Sequence, residues 1–337
     1  MEKNQEQLLT EEWLKDVSRE LETRSFKTEE MISCPKCARK SPPTRLTCVY
    51  CGADLPVTEN HSEFIKPQSR RIEPWERAFN LIFLPNGKDY DEVKTGEVAS
   101  LTQFEPSEIQ KICGGTALPI LRVETKTEAE LLQVRLEKLG VKTHLVADED
   151  LKLETPARRL RRIEFAGDRL VLVLFNSDDS LEIARENLAL IVTGAIFERK
   201  IETTEQRKKR VNKPMNSVET SADETLVDIY TKDDPIGFRL STAGFDFSTL
   251  GDDKEMFARE NVRKLTEKLK NFAPEARFVE DYTKIRDLLG KIWEVEERRD
   301  SRGLQRKSFG RFEIGNVTTV NNLAQFTKYS RLQWHLL

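Results

Sequence analysis

The pattern of apolar and polar positions divides the chain into segments of different kinds. Near the N-terminus an apolar stripe recurs at helical spacing within residues 5–23, and its members are Leu8, Leu9, Trp13, Leu14, Val17 and Leu21. Spacings of three and four residues place side chains on one face of a helix. We therefore expect residues 1–30 to contain an amphipathic helix that packs on its own protein or, alternatively, on a partner helix.

Residues 75–150 alternate short apolar runs with stretches of helical periodicity. Glycines follow the second and third predicted helices, which is typical of helix C-termini. Strands are predicted at 79–84, 118–123 and 141–146, and helices at 89–101, 105–113 and 127–139. The predicted order is β-α-α-β-α-β.

A more specific pattern lies within this segment. It consists of Ser107-Glu-Ile-Gln-Lys-Ile, Ala117-Leu-Pro-Ile-Leu, Thr127-Glu-Ala-Glu and Leu136-Glu-Lys-Leu-Gly-Val-Lys-Thr. Over about residues 77–147 the chain resembles the C-terminal domain of the bacterial ribosomal stalk protein. The resemblance implies a small α/β domain that docks other proteins. The lysine-rich helix with which that family binds translational GTPases is not matched, because Lys88, Lys94 and Lys111 are scattered among acids.

Residues 158–275 have the pattern of short antiparallel strands followed by one helix. The helix is predicted at 254–272, with Phe257, Val262, Leu265 and Leu269 on one face. This topology resembles a bacterial pleckstrin-homology-like (PH-like) split barrel, which implies that the helix plugs an open end. The charged residues 200–220 are expected to form a mobile insertion. The strands are predicted at 162–165, 170–175, 180–183, 188–197, 225–231 and 237–241.

The start of this segment is strongly basic. Its arginines are Arg158, Arg159, Arg161 and Arg162, at and just before the first predicted strand. We expect them to protect a sheet edge against pairing with other strands. Weak peripheral contact with a lipid headgroup or a phosphate is the alternative.

Residues 276–337 are predicted to form a helix over 281–296 and then a basic β-hairpin around Gly315-Asn316. Residues 298–337 carry eight Lys and Arg against two acids, so the remainder of the chain sums to −9 within a net charge of −3. Interleaved cations and aromatic rings are typical of surfaces that bind single-stranded nucleic acid. The interleaved residues are Arg302, Arg306, Lys307, Phe309, Arg311, Phe312, Phe326, Lys328, Tyr329, Arg331 and Trp334.

Composition agrees with several folded segments joined by polar ones. The 337 residues are 38% hydrophobic and 34% charged, which favours an α+β multidomain protein with a linker at residues 57–74. The N-terminal residues are polar and acidic, and no run of about 18 apolar residues occurs. We therefore expect a cytoplasmic protein without membrane insertion.

The most specific motif is a pair of Cys-x-x-Cys sequences within residues 31–56. Cys34, Cys37, Cys48 and Cys51 can direct four thiolates at one point, which is the donor set of a structural Zn²⁺ site. Rubredoxin-like iron is the alternative, because four thiolates hold either metal. Gly52 suits the turn after the second pair, and Ala38 replaces glycine after the first.

This segment resembles a small zinc ribbon, and the whole chain resembles bacterial zinc-ribbon proteins. Ser41-Pro42-Pro43-Thr44 is predicted to be a turn that joins two short strands of the ribbon. Lys36, Arg39, Lys40 and Arg45 would make one surface mildly basic.

No combination of residues indicates catalysis. Four protein ligands leave a metal no open position, and Cys113 has no histidine close in the sequence that could activate it. The sequence favours a non-enzymatic interaction or regulatory protein with an unidentified protein partner. The alternative is a nucleic-acid-binding protein that uses the ribbon and the basic tail.

Overall fold

The structure is a computed structural model. It describes residues 26–56, 72–73, 76–85, 92–102, 104–113, 115–175, 177, 179–208, 211–308 and 311–337. The predicted N-terminal helix and nearly all of the predicted linker lie outside the described residues. The chain divides into two compact units, residues 1–68 and residues 69–337.

The small unit contains two short strands, β1 (Ile32–Ser33) and β2 (Lys40–Ser41), which pair in antiparallel fashion. They flank the first cysteine pair. A second, shorter hairpin closes through the bridge between Thr47 and Asp54 and flanks the second pair. Residues 42–45 connect the two hairpins through a turn in which Arg45 N donates to Pro42 O (3.2 Å). The predicted turn is present, and it joins the two hairpins.

The large unit begins with the predicted β-α-α-β-α-β order, which is confirmed. Thr125 caps the third helix, since its Oγ1 accepts from Glu128 N (3.2 Å). The central strand pairs antiparallel with both neighbours, in the order β4-β3-β5. The elements are β3 (Phe79–Phe83), α1 (Glu92–Leu101), α2 (Pro106–Cys113), β4 (Leu118–Val123), α3 (Lys126–Lys138) and β5 (Thr143–Ala147).

A large curled sheet, a half-barrel, follows. The strands are arranged β13-β14-β9-β10-β11-β6-β7-β8, and β12 pairs with β9. The first part comprises β6 (Arg158–Ala166), β7 (Arg169–Leu174), β8 (Ser180–Ala184), β9 (Leu188–Lys208), β10 (Val211–Thr231), β11 (Phe238–Ser241), α4 (Ala258–Phe272) and β12 (Arg277–Val279).

Helix α4 covers this sheet with an apolar face. Val262, Leu265 and Leu269 are buried in a core with the strands, as predicted. Phe257 precedes the helix and is 70% exposed, so it does not belong to that face. The observed apolar face is therefore one residue shorter at its N-terminal end than the predicted face.

The chain ends with α5 (Tyr282–Leu289), β13 (Glu296–Ser308), β14 (Arg311–Asn321) and α6 (Leu323–His335). Strands β13 and β14 form a hairpin, as expected, and they pair from Glu296 opposite Asn321 to Ser308 opposite Arg311. Residues 315–316, the expected turn, lie within β14, opposite Gly303 and Ser301. Alternating apolar and polar residues cannot locate a turn inside a run that is strand-like on both sides.

Within residues 200–220, where a mobile insertion is expected, strand β9 continues to Lys208 and β10 begins at Val211. The two strands pair along nearly their whole length, and β14 pairs with β9 from Glu198 to Gln206. These ladders satisfy the backbone groups of the strands, and the side chains at 217–220 are exposed.

The core of the large unit joins residues that lie far apart in the sequence. Side chains of β3 and β5 share one cluster with Leu190, Trp293, Phe326 and Tyr329. Trp293 Nε1 donates to Asn80 Oδ1 (2.8 Å), and both residues are buried. Segments 75–150 and 276–337 therefore both contribute side chains to this cluster. No helix among the described residues combines the length and the apolar character needed to span a bilayer.

Candidate metal centre

The two Cys-x-x-Cys segments adopt the same backbone arrangement. In the first, Cys34 N donates to Arg39 O (2.9 Å) and Ala38 N donates to Cys34 O (2.9 Å). In the second, Cys48 N donates to Ala53 O (2.8 Å) and Gly52 N donates to Cys48 O (2.9 Å). Each turn therefore presents its two thiols from a closed hairpin end, and the two ends face each other.

Both turns require a left-handed residue directly after the second cysteine. Gly52 has a φ of 69°, and Ala38 has a φ of 57°. Glycine adopts this conformation without a steric penalty, whereas a residue with a Cβ is strained by about 1–2 kcal/mol. The first turn is therefore formed against a local preference, which indicates that contacts elsewhere in the ribbon hold it.

The four sulfur atoms converge. Cys34 Sγ lies 3.5 Å from Cys51 Sγ, and Cys37 Sγ lies 3.6 Å from Cys48 Sγ. All four Sγ atoms lie within 4.8 Å of one another. A Zn–S bond of about 2.3 Å gives a tetrahedron with edges of about 3.8 Å. The residues therefore fit a single tetrahedral metal ion, and their donor chemistry is that of zinc or iron.

The cysteines are free thiols in unequal environments. Cys34 and Cys48 are 2% and 3% exposed, whereas Cys51 is exposed. Together with Ile32 and Leu55, the two buried cysteines form the apolar cluster of this unit. A cluster of that size provides little hydrophobic stabilisation. A bound metal would therefore stabilise this unit in place of a hydrophobic core, rather than in addition to one.

Hydrogen bonds to sulfur favour the charged thiolates that a metal requires. Burial raises the pKa of Cys48, but the Tyr50 N–H (3.4 Å) and the Ser41 hydroxyl (3.6 Å) lower it, so that the pKa of this thiol falls to about 6. The backbone N–H of Cys37 lowers the pKa of Cys34.

The fourth thiol, Cys51, behaves differently. The N–H of Ala53 lowers its pKa, but burial and the three neighbouring sulfurs raise it to about 12. The sulfurs thus share protons when no cation is present, and a bound cation would displace these protons.

The ribbon also presents a group that sequence analysis did not single out. Tyr50 is 57% exposed, and the Arg39 guanidinium lies 5.0 Å from the centroid of its ring. Lys36, Lys40 and Arg45 are exposed too, as expected for a mildly basic surface. The exposure of Tyr50 could have been predicted from its position between two cysteines, because a residue inside such a turn must point outward.

The basic strand has a different role from the expected one. Strand β6 lies between β11 and β7 and is not a sheet edge. The guanidinium of Arg158 stacks 3.8 Å from the ring centroid of Phe238 and pairs with Asp234. The guanidinium of Arg159 stacks 3.8 Å from the centroid of Phe175 and donates to Ala243 O. These two arginines therefore hold loops against the sheet.

The interleaved residues of the C-terminal tail separate into two groups. Phe326 and Tyr329 are fully buried, and Arg331 donates to the carbonyls of Leu151, Lys152 and Thr155. These rings and this cation belong to the interior and do not form an exposed stacking surface. Arg302 is exposed and pairs with Glu202 (2.8 Å). The side chains of Arg306, Lys307, Phe309, Arg311 and Phe312 lie outside the described part, as does that of Cys113.

Comparison with known proteins gives no relative. No family model matches the chain, and no curated protein and no solved structure matches it either. The geometry of the four cysteines is therefore the evidence on which a functional assignment rests.

Proposed function

We propose that this chain is a non-enzymatic interaction protein of the cytoplasm whose cysteine ribbon holds one structural Zn²⁺ ion. The observation that carries the proposal is the convergence of four free thiols within 4.8 Å. Four protein ligands complete a tetrahedral coordination shell and leave no position for water or substrate. Bound zinc would supply bonds that fix the two hairpin ends, which a four-residue apolar cluster does not do by itself.

The architecture of the large unit supports an interaction role. The β-α-α-β-α-β order of the elements and the antiparallel order β4-β3-β5 support a fold like that of the stalk-protein domain, which docks other proteins. The curled sheet with α4 packed on it supports a fold like the PH-like barrel. Both likenesses concern topology, and function does not follow from topology alone.

The structural role of the metal can be tested by removing it. Chelation of the full chain should abolish protection of backbone amides from hydrogen exchange in residues 31–56, and protection in residues 69–337 should remain. Cys48→Ser should give the same local loss without chelator. Cys113→Ser is the matched control, since this cysteine lies outside the cluster, and it should retain protection. Unchanged protection of the ribbon after complete metal removal would contradict the proposal.

A nucleic-acid-binding role is the second candidate, and the exposed Tyr50 beside Arg39 is the observation that favours it. An aromatic face with an adjacent cation can stack a base and contact a phosphate. Fluorescence anisotropy with single-stranded RNA and DNA at 50–300 mM salt tests it. Binding that weakens steeply with salt and is lost in Tyr50→Ala would support this role, whereas no binding at the lowest salt would remove it.

A further inference from the structure

Helix α6 carries a lysine in an unusual position. Lys328 is 7% exposed, although lysine is among the residues least often buried. Its Nζ lies 5.9 Å from the ring centroid of Trp293. Within the described part of the chain it forms no hydrogen bond and no ion pair. Burial of the side chain removes part of the hydration of its ammonium, and apart from the Trp293 ring no group of the described residues compensates for that loss.

The amine borders two cavities of about 470 Å³ each. Leu153 and Glu154 line both cavities beside it. The first cavity has largely apolar walls, which are contributed by Pro156, Ala157, Trp293, Leu323 and Ala324. The second has charged walls, which include Arg77, Asp148, Glu149 and Lys152. A volume of this size is within the range of small-molecule sites, about 300–1,000 Å³.

The other buried or half-buried polar groups beside the first cavity are already satisfied. Arg239 donates to Asp228 (2.7 Å) and to Thr327 Oγ1 (3.0 Å). Gln325 Nε2 donates to Trp293 O (2.7 Å), and its Oε1 accepts from the Tyr282 hydroxyl (2.9 Å). Lys328 is therefore the polar group in this wall that is free to bind a ligand.

The nearest acids do not neutralise it. Asp148 is held by Arg122 Nη2 at 2.7 Å. Glu296 lines the first cavity and faces Lys328 without pairing with it. Burial is the main cause that lowers the pKa of Lys328, and the negative charges of Asp148 and Glu296 act in the opposite direction.

We propose that the cavity between Trp293 and Lys328 binds a small monocarboxylate whose acid group pairs with the Lys328 ammonium and whose apolar body lies along Trp293 and Leu323. A carboxylate in the cavity would accept hydrogen bonds from this amine, for which the described residues provide no acceptor. Glu154, Glu294 and Glu296 also line this cavity, so a doubly charged phosphate would be repelled more strongly than a single carboxylate. The site lies in the large unit and does not depend on the metal of the ribbon.

The test is isothermal titration calorimetry of the full chain with 3-phenylpropionate, with 3-phenylpropionamide as the uncharged control. We expect the acid to bind and the amide to bind at least tenfold more weakly. Equal binding of acid and amide, or no binding of the acid at millimolar concentration, would overturn the proposal. This comparison needs no variant and therefore does not depend on the folding of any substitution.

Two variants test whether the acid group of the ligand binds beside Lys328. Lys328→Met removes the ammonium and keeps an unbranched side chain of similar length, so it should reduce affinity for the acid at least tenfold and leave the melting temperature unchanged or higher. Glu296→Gln, on the same cavity, removes a repelling charge and should raise affinity about two- to fivefold. Acid binding that Lys328→Met leaves unchanged, or that Glu296→Gln weakens, would overturn the proposal.

Discussion

Ala38 and Gly52 occupy equivalent positions in the two halves of the ribbon. Each follows the second cysteine of its pair, and each has a positive φ, 57° and 69° respectively. The N–H of each donates to the carbonyl of the first cysteine at 2.9 Å. The ribbon is thus built from two copies of one turn, and the first copy carries a residue that is strained in this conformation.

This equivalence predicts opposite effects for two exchanges. Ala38→Gly should stabilise the ribbon by about 1 kcal/mol, because glycine adopts the left-handed conformation without strain. Gly52→Ala should destabilise it by about the same amount, although nothing lies within 4 Å of the added Cβ. Competition with a chromophoric zinc chelator measures both as changes of about fivefold in apparent zinc affinity. Changes of the same sign would contradict the equivalence of the two turns.

Zinc binding should depend on pH through Cys48. Burial raises the pKa of this thiol, but hydrogen bonds from the Tyr50 N–H and the Ser41 hydroxyl outweigh it and lower the pKa from 9.0 to about 6. Protons should therefore compete with the metal at this ligand only as the pH falls through about 6. Competition of the zinc-loaded full chain with a chromophoric chelator, at several pH values on either side of about 6, measures the release.

The same shift has a consequence for stability. Because the pKa of Cys48 in the folded ribbon lies below the ordinary value, its stabilising contribution is present above about pH 9 and is lost as the pH falls through about 6. Ser41→Ala removes one of the hydrogen bonds to this sulfur and should move zinc release to higher pH. Release at the same pH in both chains would show that the Ser41 hydroxyl does not lower the pKa of Cys48.

Removal of one partner of the buried ion pair between Asp228 and Arg239 should strongly destabilise the large unit. Both nitrogen–oxygen distances are 2.7 Å, and the Asp228 side chain is 1% exposed. Asp228→Ala should destabilise this unit by about 3–5 kcal/mol, because it leaves a buried guanidinium without its counterion.

The matched control for this pair is the exposed pair Arg263–Glu267 on α4, at 2.7 Å. Glu267→Ala should cost less than about 1 kcal/mol, because solvent screens the interaction. Urea denaturation of the full chain, followed by circular dichroism, compares the two variants. Equal losses would contradict the burial of the first pair.

Gly194 should tolerate no side chain. A Cβ at this position of β9 would lie 2.5 Å from the Phe326 ring and 2.6 Å from the Tyr282 ring. Gly194→Ala should therefore cost about 1–3 kcal/mol through displacement of the aromatic core. Gly96→Ala in α1 is the control, since its Cβ meets nothing within 4 Å and alanine favours a helix by about 0.5–1 kcal/mol. Thermal denaturation should show opposite shifts.

Local patterns predicted the elements that local forces determine. Residues 75–150 follow the expected order because their apolar periodicity, the cap at Thr125 and the glycine at 140 all act within a few residues. The cysteine cluster could be predicted from the sequence equally well, because the type and spacing of the ligands define its chemistry. The two pairs are also close in the sequence, so their two turns bring them together without long-range contacts.

Helix α6 shows what the sequence could not provide. Its cations and glutamines are typical of a solvated surface, yet Gln325, Lys328, Arg331 and Gln333 are buried. Their partners lie far away in the chain: Gln333 Nε2 donates to Ala117 O (3.2 Å), and Arg331 donates to Leu151 O (2.9 Å). Burial that depends on such distant carbonyls leaves no periodic signal. The long hairpin of β9 and β10 was missed for a related reason, since pairing with β14 stabilises it.

Elemental analysis of the purified, untagged full chain measures the metal content of the ribbon directly. We expect one zinc per chain in the unaltered protein and in Cys113→Ser, and less than a tenth of that in Cys48→Ser. One iron per chain would contradict the choice of zinc. A chain that contains no metal after expression with supplemented zinc, or a Cys48→Ser variant that retains it in full, would contradict the four-cysteine site itself.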